Sequence, residues 1–128
     1  MPPKVRSADI VERSTQTNLI HSAKSCDSVF SKLRGLQFRR NLPKNDAIVL
    51  VHEKDSIKST SIHMLFVFFP IAAIWIDNQG KVTNAQLAKP WRLYYASPEP
   101  ARYVLEGSPE LLNKIRVGDY IDFQFNQK

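Results

Sequence analysis

From Met64 to Ile76 the chain carries thirteen consecutive uncharged residues, MLFVFFPIAAIWI, with Pro70 near the middle. A membrane-spanning α-helix needs about 20 apolar residues. A proline inside a helix removes a backbone hydrogen bond and clashes with the preceding turn. The run is therefore expected as two core strands, Ile62 to Phe69 and Ile71 to Asp77, split at Pro70 because interior strands exclude proline. Phe66, Phe68 and Ala72 make both faces of this stretch apolar. Any fold that contains it must cover both sides or use it for association.

The rest of the chain supplies the partners such strands need. Val5 to Ala23 alternates loosely and suggests two edge-type strands. AIVLVH, Ala47 to His52, is a β-branched run of strand length. DNQGK predicts a tight turn with Gly80 at a positive φ, returning the chain antiparallel over Val82 to Leu87. RYVLEG and YIDFQF read as further strands. Two short helices are expected. The first, about 28–36, is capped by Asp27 or Ser28 and closed near Gly35; the second, about 109–115, has Ser108 as its cap and Pro109 as its first residue. The pattern predicts a mainly β, compact antiparallel β-sandwich or barrel with two short helices. At 128 residues, 43% of them hydrophobic, the chain suffices for a single domain over 1–128, with 1–8 as a loosely held N-terminal arm.

Charge narrows the partners. The net charge of +6 includes a cluster in SKLRGLQFRRNLPK, Ser31 to Lys44, but no nucleic-acid module motif accompanies it. Nucleic acid is therefore not the expected partner, and the cluster reads as a solvated helix end. The opening MPPKVRSADIVERSTQ has no apolar signal-like stretch, so a cytoplasmic protein without a transmembrane segment is expected. Cys26 is the sole cysteine and has no partner for an internal disulfide.

Four separated stretches, SKLRGLQFRRNLPKNDAIVL, SIHMLFVFFPIAAIWIDNQGKV, AKPWRLY and PARYVLEGSPELLNKIRVGDYIDF, resemble the small all-β family known as domain of unknown function 192. The likeness extends from Thr17 to Phe125 in the expected order. It implies a compact β-sandwich or barrel, found in bacteria and archaea, with no established activity or cofactor. The family pattern includes Arg-Gly-Leu, matched by Arg34-Gly35-Leu36, and Ser-Ile-His, matched by Ser61-Ile62-His63. Its Phe-Pro-Ile is matched by Phe69-Pro70-Ile71. The acidic residue that usually follows is Ala72 here, and the basic residue often found before the Phe is Phe68, so a site built on that charged pair is put in doubt.

Candidate site residues are few. His63 can act as base, acid or ligand near neutral pH. Arg34 matches carboxylate and phosphate geometry. Trp91 and Arg92, with Tyr94 and Tyr95, place stacking surfaces and a cation in the long connection AKPWRLYYASPEPA. If the loop between them were a simple hairpin, His52 and His63 would face each other, but no third ligand is evident and no metal or cofactor is expected. Arg102 and Asp119 read as structural. No nucleophile elbow, P-loop or dinucleotide fingerprint occurs. The leading expectation is a non-catalytic binding or scaffold domain in which Arg34, His63, Trp91 and Arg92 form a shallow basic and aromatic pocket for an anionic or sugar-like ligand. One alternative is a small hydrolase or transferase with His63 as general base and Arg34 holding an anion. The other is a self-associating or partner-docking protein using the apolar strand 64–76, as a monomer or weak homodimer.

Overall fold

The computed structural model describes residues 6–26, 47–58, 60–62, 69–91 and 95–127. Seven strands follow one another: β1 (Arg6–Glu12), β2 (Thr17–Cys26), β3 (Ala47–Ser56), β4 (Ile71–Ile76), β5 (Val82–Ala88), β6 (Ala101–Gly107) and β7 (Ile121–Gln127). They hydrogen-bond in the order β5-β4-β6-β3-β2-β1-β7. Every neighbouring pair is antiparallel except β2 and β3, which run parallel over Lys24 to Cys26 and Ile48 to Leu50.

β4 organises the core. Isoleucine and tryptophan favour the pleated conformation, and Pro70 ends the strand at its start, where a missing N–H is tolerated. All six of its side chains are inaccessible. Ala72, Ile74 and Ile76 point to one face, where they meet Ile10, Val49, Leu105 and Ile121. Ile71, Ala73 and Trp75 point to the other, where Ile48, Leu50 and Val104 are joined by Ile62 and Tyr95 from loops. The first face is filled by a 3-10 segment, Pro109–Asn113, which contributes Leu111, with Ile115 just beyond it. The second is covered by the loops after β3 and β5. Trp75 Nε1 donates to the Thr60 carbonyl (2.8 Å), and Thr60 Oγ1 donates to Ser56 O (2.6 Å).

The edge strands β5 and β7 approach each other at one end. Ile121 N donates to Gly80 O (2.7 Å), Val82 N to Asp119 O (2.8 Å), and an isolated bridge joins Lys81 to Tyr120. The contact stops there, so the sheet is not a closed barrel. Arg13 holds this seam: Nε donates to Asp122 Oδ1 and Nη2 to Gln79 O, both at 2.9 Å, and the guanidinium lies over the Tyr120 ring. Its turn is fixed by the Glu12 carboxylate, which accepts from Ser14 and Thr15. The Thr15 hydroxyl, with the Ser14 hydroxyl next, holds that carboxyl down to about 2.

Several expectations are corrected. The helix expected over 109–115 is a five-residue 3-10 segment. Ser108 does cap it, accepting from Glu110 N, but the chain must turn again at Arg116–Asp119 to deliver Asp119 to Val82, which leaves no length for an α-helix. The helix expected at 28–36 lies outside the described residues. The sheet is not wholly antiparallel, since β2 and β3 are parallel. β1 and β2 are interior rather than edge strands, because β1 gains its second neighbour, β7, from the far end of the chain. Of the expected arm, residues 6–8 belong to β1 and Ala8 is fully buried.

Gly80 adopts φ +90°, and a Cβ there would lie 2.6 Å from both Arg13 Nη2 and the Ile121 carbonyl. Gly118 has a similar φ of +96° with nothing within 4 Å. Gly118→Ala is expected to cost about 1 kcal/mol from backbone strain alone, and Gly80→Ala about 3 kcal/mol or more because the seam must also open. Urea denaturation of the two variants measures the difference; equal losses would show that the seam does not constrain Gly80.

Candidate functional site

Of the four predicted site residues, Trp91 falls within the described structure, while Arg34, His63 and Arg92 lie outside it. Trp91 follows the end of β5, 45% exposed and with its backbone at φ +67°, a left-handed conformation that a bulky side chain rarely adopts. The loop is pinned on both sides. Lys89 N donates to the Tyr95 hydroxyl (2.8 Å), and Tyr95 is buried on the second face of the sheet. Ile62, the residue before His63, pairs with Tyr95 through two backbone hydrogen bonds, Ile62 N to Tyr95 O (2.8 Å) and Tyr95 N to Ile62 O (2.9 Å). The Ser61-Ile62 stretch and the Trp91 loop are thereby joined at one end of that face. Asn84 and Gln86 donate to the Ala96 carbonyl, and Thr83 meets Ser97 at 2.8 Å, which fastens the following segment across β5.

The same face carries a carboxyl that the sequence reading passed over. Glu106 on β6 is flanked in register by Ala73 of β4 and Ile48 of β3, both buried and apolar. It is itself 7% exposed and has no hydrogen-bond or ion-pair partner among the described residues. Burial without compensation disfavours the carboxylate and pushes Glu106 up to about 7. Two residues before Ala73 and on the same face, Ile71 pairs with Ala88, from which the Trp91 loop departs. Glu106 and that loop therefore lie along one face. The signal was present in RYVLEG, a strand whose single acidic residue shares its face with Val104. Only the sheet order shows that both of its neighbours are apolar.

Other expectations resolve as follows. His52 does not sit in a simple hairpin, because β3 lies between β2 and β6. Arg102 Nε donates to His52 O (2.8 Å) and its Nη1 to Asn78 Oδ1 (2.8 Å), clipping β3 to β6 where their ladder is interrupted between Val51 and Ser56. Asp119 accepts from Arg116 N and shapes its own turn. Both residues do the structural work expected of them. His21 Nδ1 contacts Asp9 at 3.1 Å on the surface. The self-association surface expected over 64–76 is not offered by residues 71–76, which are fully buried by other strands and the Pro109–Asn113 segment on one face and by loops on the other; residues 64–68 lie outside the described structure. Among the described residues no three metal-ligating side chains cluster, and no helix is long and apolar enough to cross a membrane.

A seven-stranded, mainly β scaffold whose second face holds a buried acid beside a pinned aromatic loop defines the class of protein. The chain belongs to the DUF192 family, described as "Uncharacterized ACR", which it matches over residues 10–123. It is 34% identical over 102 residues to the UPF0127 protein of Thermococcus kodakarensis, covering 78% of this chain and 63% of that one. It is also 34% identical over 104 residues to the UPF0127 protein of Thermococcus gammatolerans, covering 80% and 66%. The chain thus spans just under two thirds of the length of these two relatives. Among solved structures, a candidate transcription regulator from Sinorhizobium meliloti superposes with a TM-score of 0.79 at 17% identity, covering 94% of each chain. A protein of unknown function from Novosphingobium aromaticivorans does so with a TM-score of 0.74 at 16% identity, covering 92% of this chain and 83% of that one. These two share the fold. Neither the family description nor the relatives' names assign an activity.

The buried acid makes stability depend on pH. The folded carboxyl keeps its proton up to about pH 7, whereas the unfolded one releases it near 4.5. Its stabilising share is full below the unfolded value and is lost as pH rises through the folded one, a difference of about 3 kcal/mol. Wild-type unfolding free energy is expected to fall between about pH 4.5 and pH 7, and Glu106→Gln to remove this slope. A slope identical in the two proteins would contradict the assignment.

Proposed function

We propose that this protein is a small binding domain, in which one sandwich-like unit holds a ligand at the end of the second sheet face. In this reading Glu106 and the Trp91 loop supply the described part of the site, and Arg34, His63 and Arg92 are the residues that would supply its charge. The observation that carries this reading is the Ile62–Tyr95 pairing, which ties the two predicted segments together on the face that also holds an unpartnered, buried acid. The left-handed backbone of Trp91 supports it, since strained conformations concentrate at ligand clamps. Below about pH 7 Glu106 is protonated, donates a hydrogen bond and adds no negative charge, while Arg34 and Arg92 bring cations. The ligand is therefore an anionic or sugar-like small molecule that the ring of Trp91 stacks against.

Trp75 is fully buried and Trp91 is exposed, so emission reports the two environments separately. Titration with inorganic phosphate, citrate and glucose 6-phosphate is expected to change the Trp91 contribution and to raise the melting temperature by a few degrees at saturation. Trp91→Ala should abolish both effects while leaving the blue emission of Trp75. Responses that persist in Trp91→Ala, or absence of any response across the three probes, would remove this reading.

A second reading is favoured by the same acid. A carboxyl that titrates near neutral pH is suited to proton transfer, and with His63 as general base and Arg34 as anion holder the site becomes that of a small hydrolase or transferase. Hydrolysis of an activated ester or phosphoester that is lost in both His63→Ala and Glu106→Gln would select this reading over simple binding.

A further inference from the structure

At the opposite end of β4, at the edge strand β7, lies a cleft of about 180 Å³ bordered by Arg13, Gln79, Asp122, Tyr103, Phe123 and Phe125. Its aromatic wall comes from strands that are not neighbours in the sheet. The Tyr103 ring of β6 meets Phe123 of β7 with centroids 4.6 Å apart, and Phe123 stacks on Phe125 at 5.9 Å. Phe125 remains 37% exposed. Its polar border is the Arg13–Asp122 pair. Arg13 uses Nε on Asp122 Oδ1 and Nη2 on Gln79 O, which leaves Nη1 as a donor and Asp122 Oδ2 as an acceptor without partners among the described residues.

We propose that this cleft is a second binding site, for a neutral polyhydroxyl ring such as a monosaccharide. Adjacent hydroxyls each donate and accept, so one can receive from a guanidinium N–H while its neighbour donates to the carboxylate oxygen. The apolar C–H face of such a ring fits against an aromatic side chain, here Phe125. Charge excludes the alternatives. An anion meets Asp122, and a cation meets Arg13 itself. The volume is below the roughly 300 Å³ at which drug-sized pockets begin, which suits one ring and not an oligomer. This site uses none of the residues assigned to the Trp91 site.

The test is an amide-correlation NMR titration of the full chain with glucose, mannose and N-acetylglucosamine at millimolar concentrations. Saturable shifts are expected at Arg13, Gln79, Asp122 and Phe125 for at least one sugar. Phe125→Leu keeps apolar packing but removes the aromatic face, and should weaken that sugar tenfold or more; Trp91→Ala should leave it unchanged. The proposal is overturned if no sugar produces saturable shifts, if Phe125→Leu binds as the wild type does, or if binding is lost in Trp91→Ala instead. An anion response that disappears in Trp91→Ala while the sugar response remains would separate the two sites.

Discussion

A strand with six inaccessible side chains cannot lie on the surface of anything, and β4 imposes that condition on the rest of the chain. One face is met by residues from the other strands and by Leu111 and Ile115, the other by the loops around Thr60 and Tyr95. The hydrogen bond from Trp75 Nε1 to the Thr60 carbonyl follows from the same need. A buried indole requires an acceptor, and the covering loop has its own carbonyl to satisfy. Covering the second face with loops instead of a further sheet has a functional consequence. Loops carry carbonyls, hydroxyls and aromatic rings to a place that strands alone would leave uniformly apolar.

Two regions with different physical characters result. The seam at Gly80, Arg13 and Ile121 is tightly specified, with a backbone carbonyl accepting at 2.7 Å and no room for a Cβ. The second face near Glu106 accepts a cost in place of a contact, since a carboxyl there lies among Ala73 and Ile48 without a counter-ion among the described residues, and burial pushes it up to about 7. Stability is concentrated in the first and unspent polar capacity in the second.

Much of the local structure was legible because it is dictated by neighbours in sequence. Pro70 marks the start of β4, Gly80 takes the positive φ its turn requires, Ser108 caps the segment after β6, and the alternation in YIDFQF becomes β7. The site was less legible. Trp91 was singled out by its chemistry, but Glu106 was not, because one acid in a strand reads as solvent-facing until its neighbours are known. The Tyr103–Phe123 contact was likewise invisible, since it joins strands β6 and β7 across the fold rather than along the ladder.

By itself the sequence determined the strands that the structure describes from β1 to β7, the Gly80 turn, the double burial of Ile71 to Ile76 and the family likeness, all of which depend on residue type and short-range spacing, while the strand expected over Ile62 to Phe69 lies largely outside the described residues. Only the tertiary structure decided that β1 is interior, that β2 and β3 are parallel, that the segment after Ser108 is too constrained for an α-helix, and that Glu106 is buried. Each of these rests on contacts between residues distant in the chain. Pairing across a sheet is selected by the summed burial of whole faces, and no local pattern encodes which distant strand will complete a face.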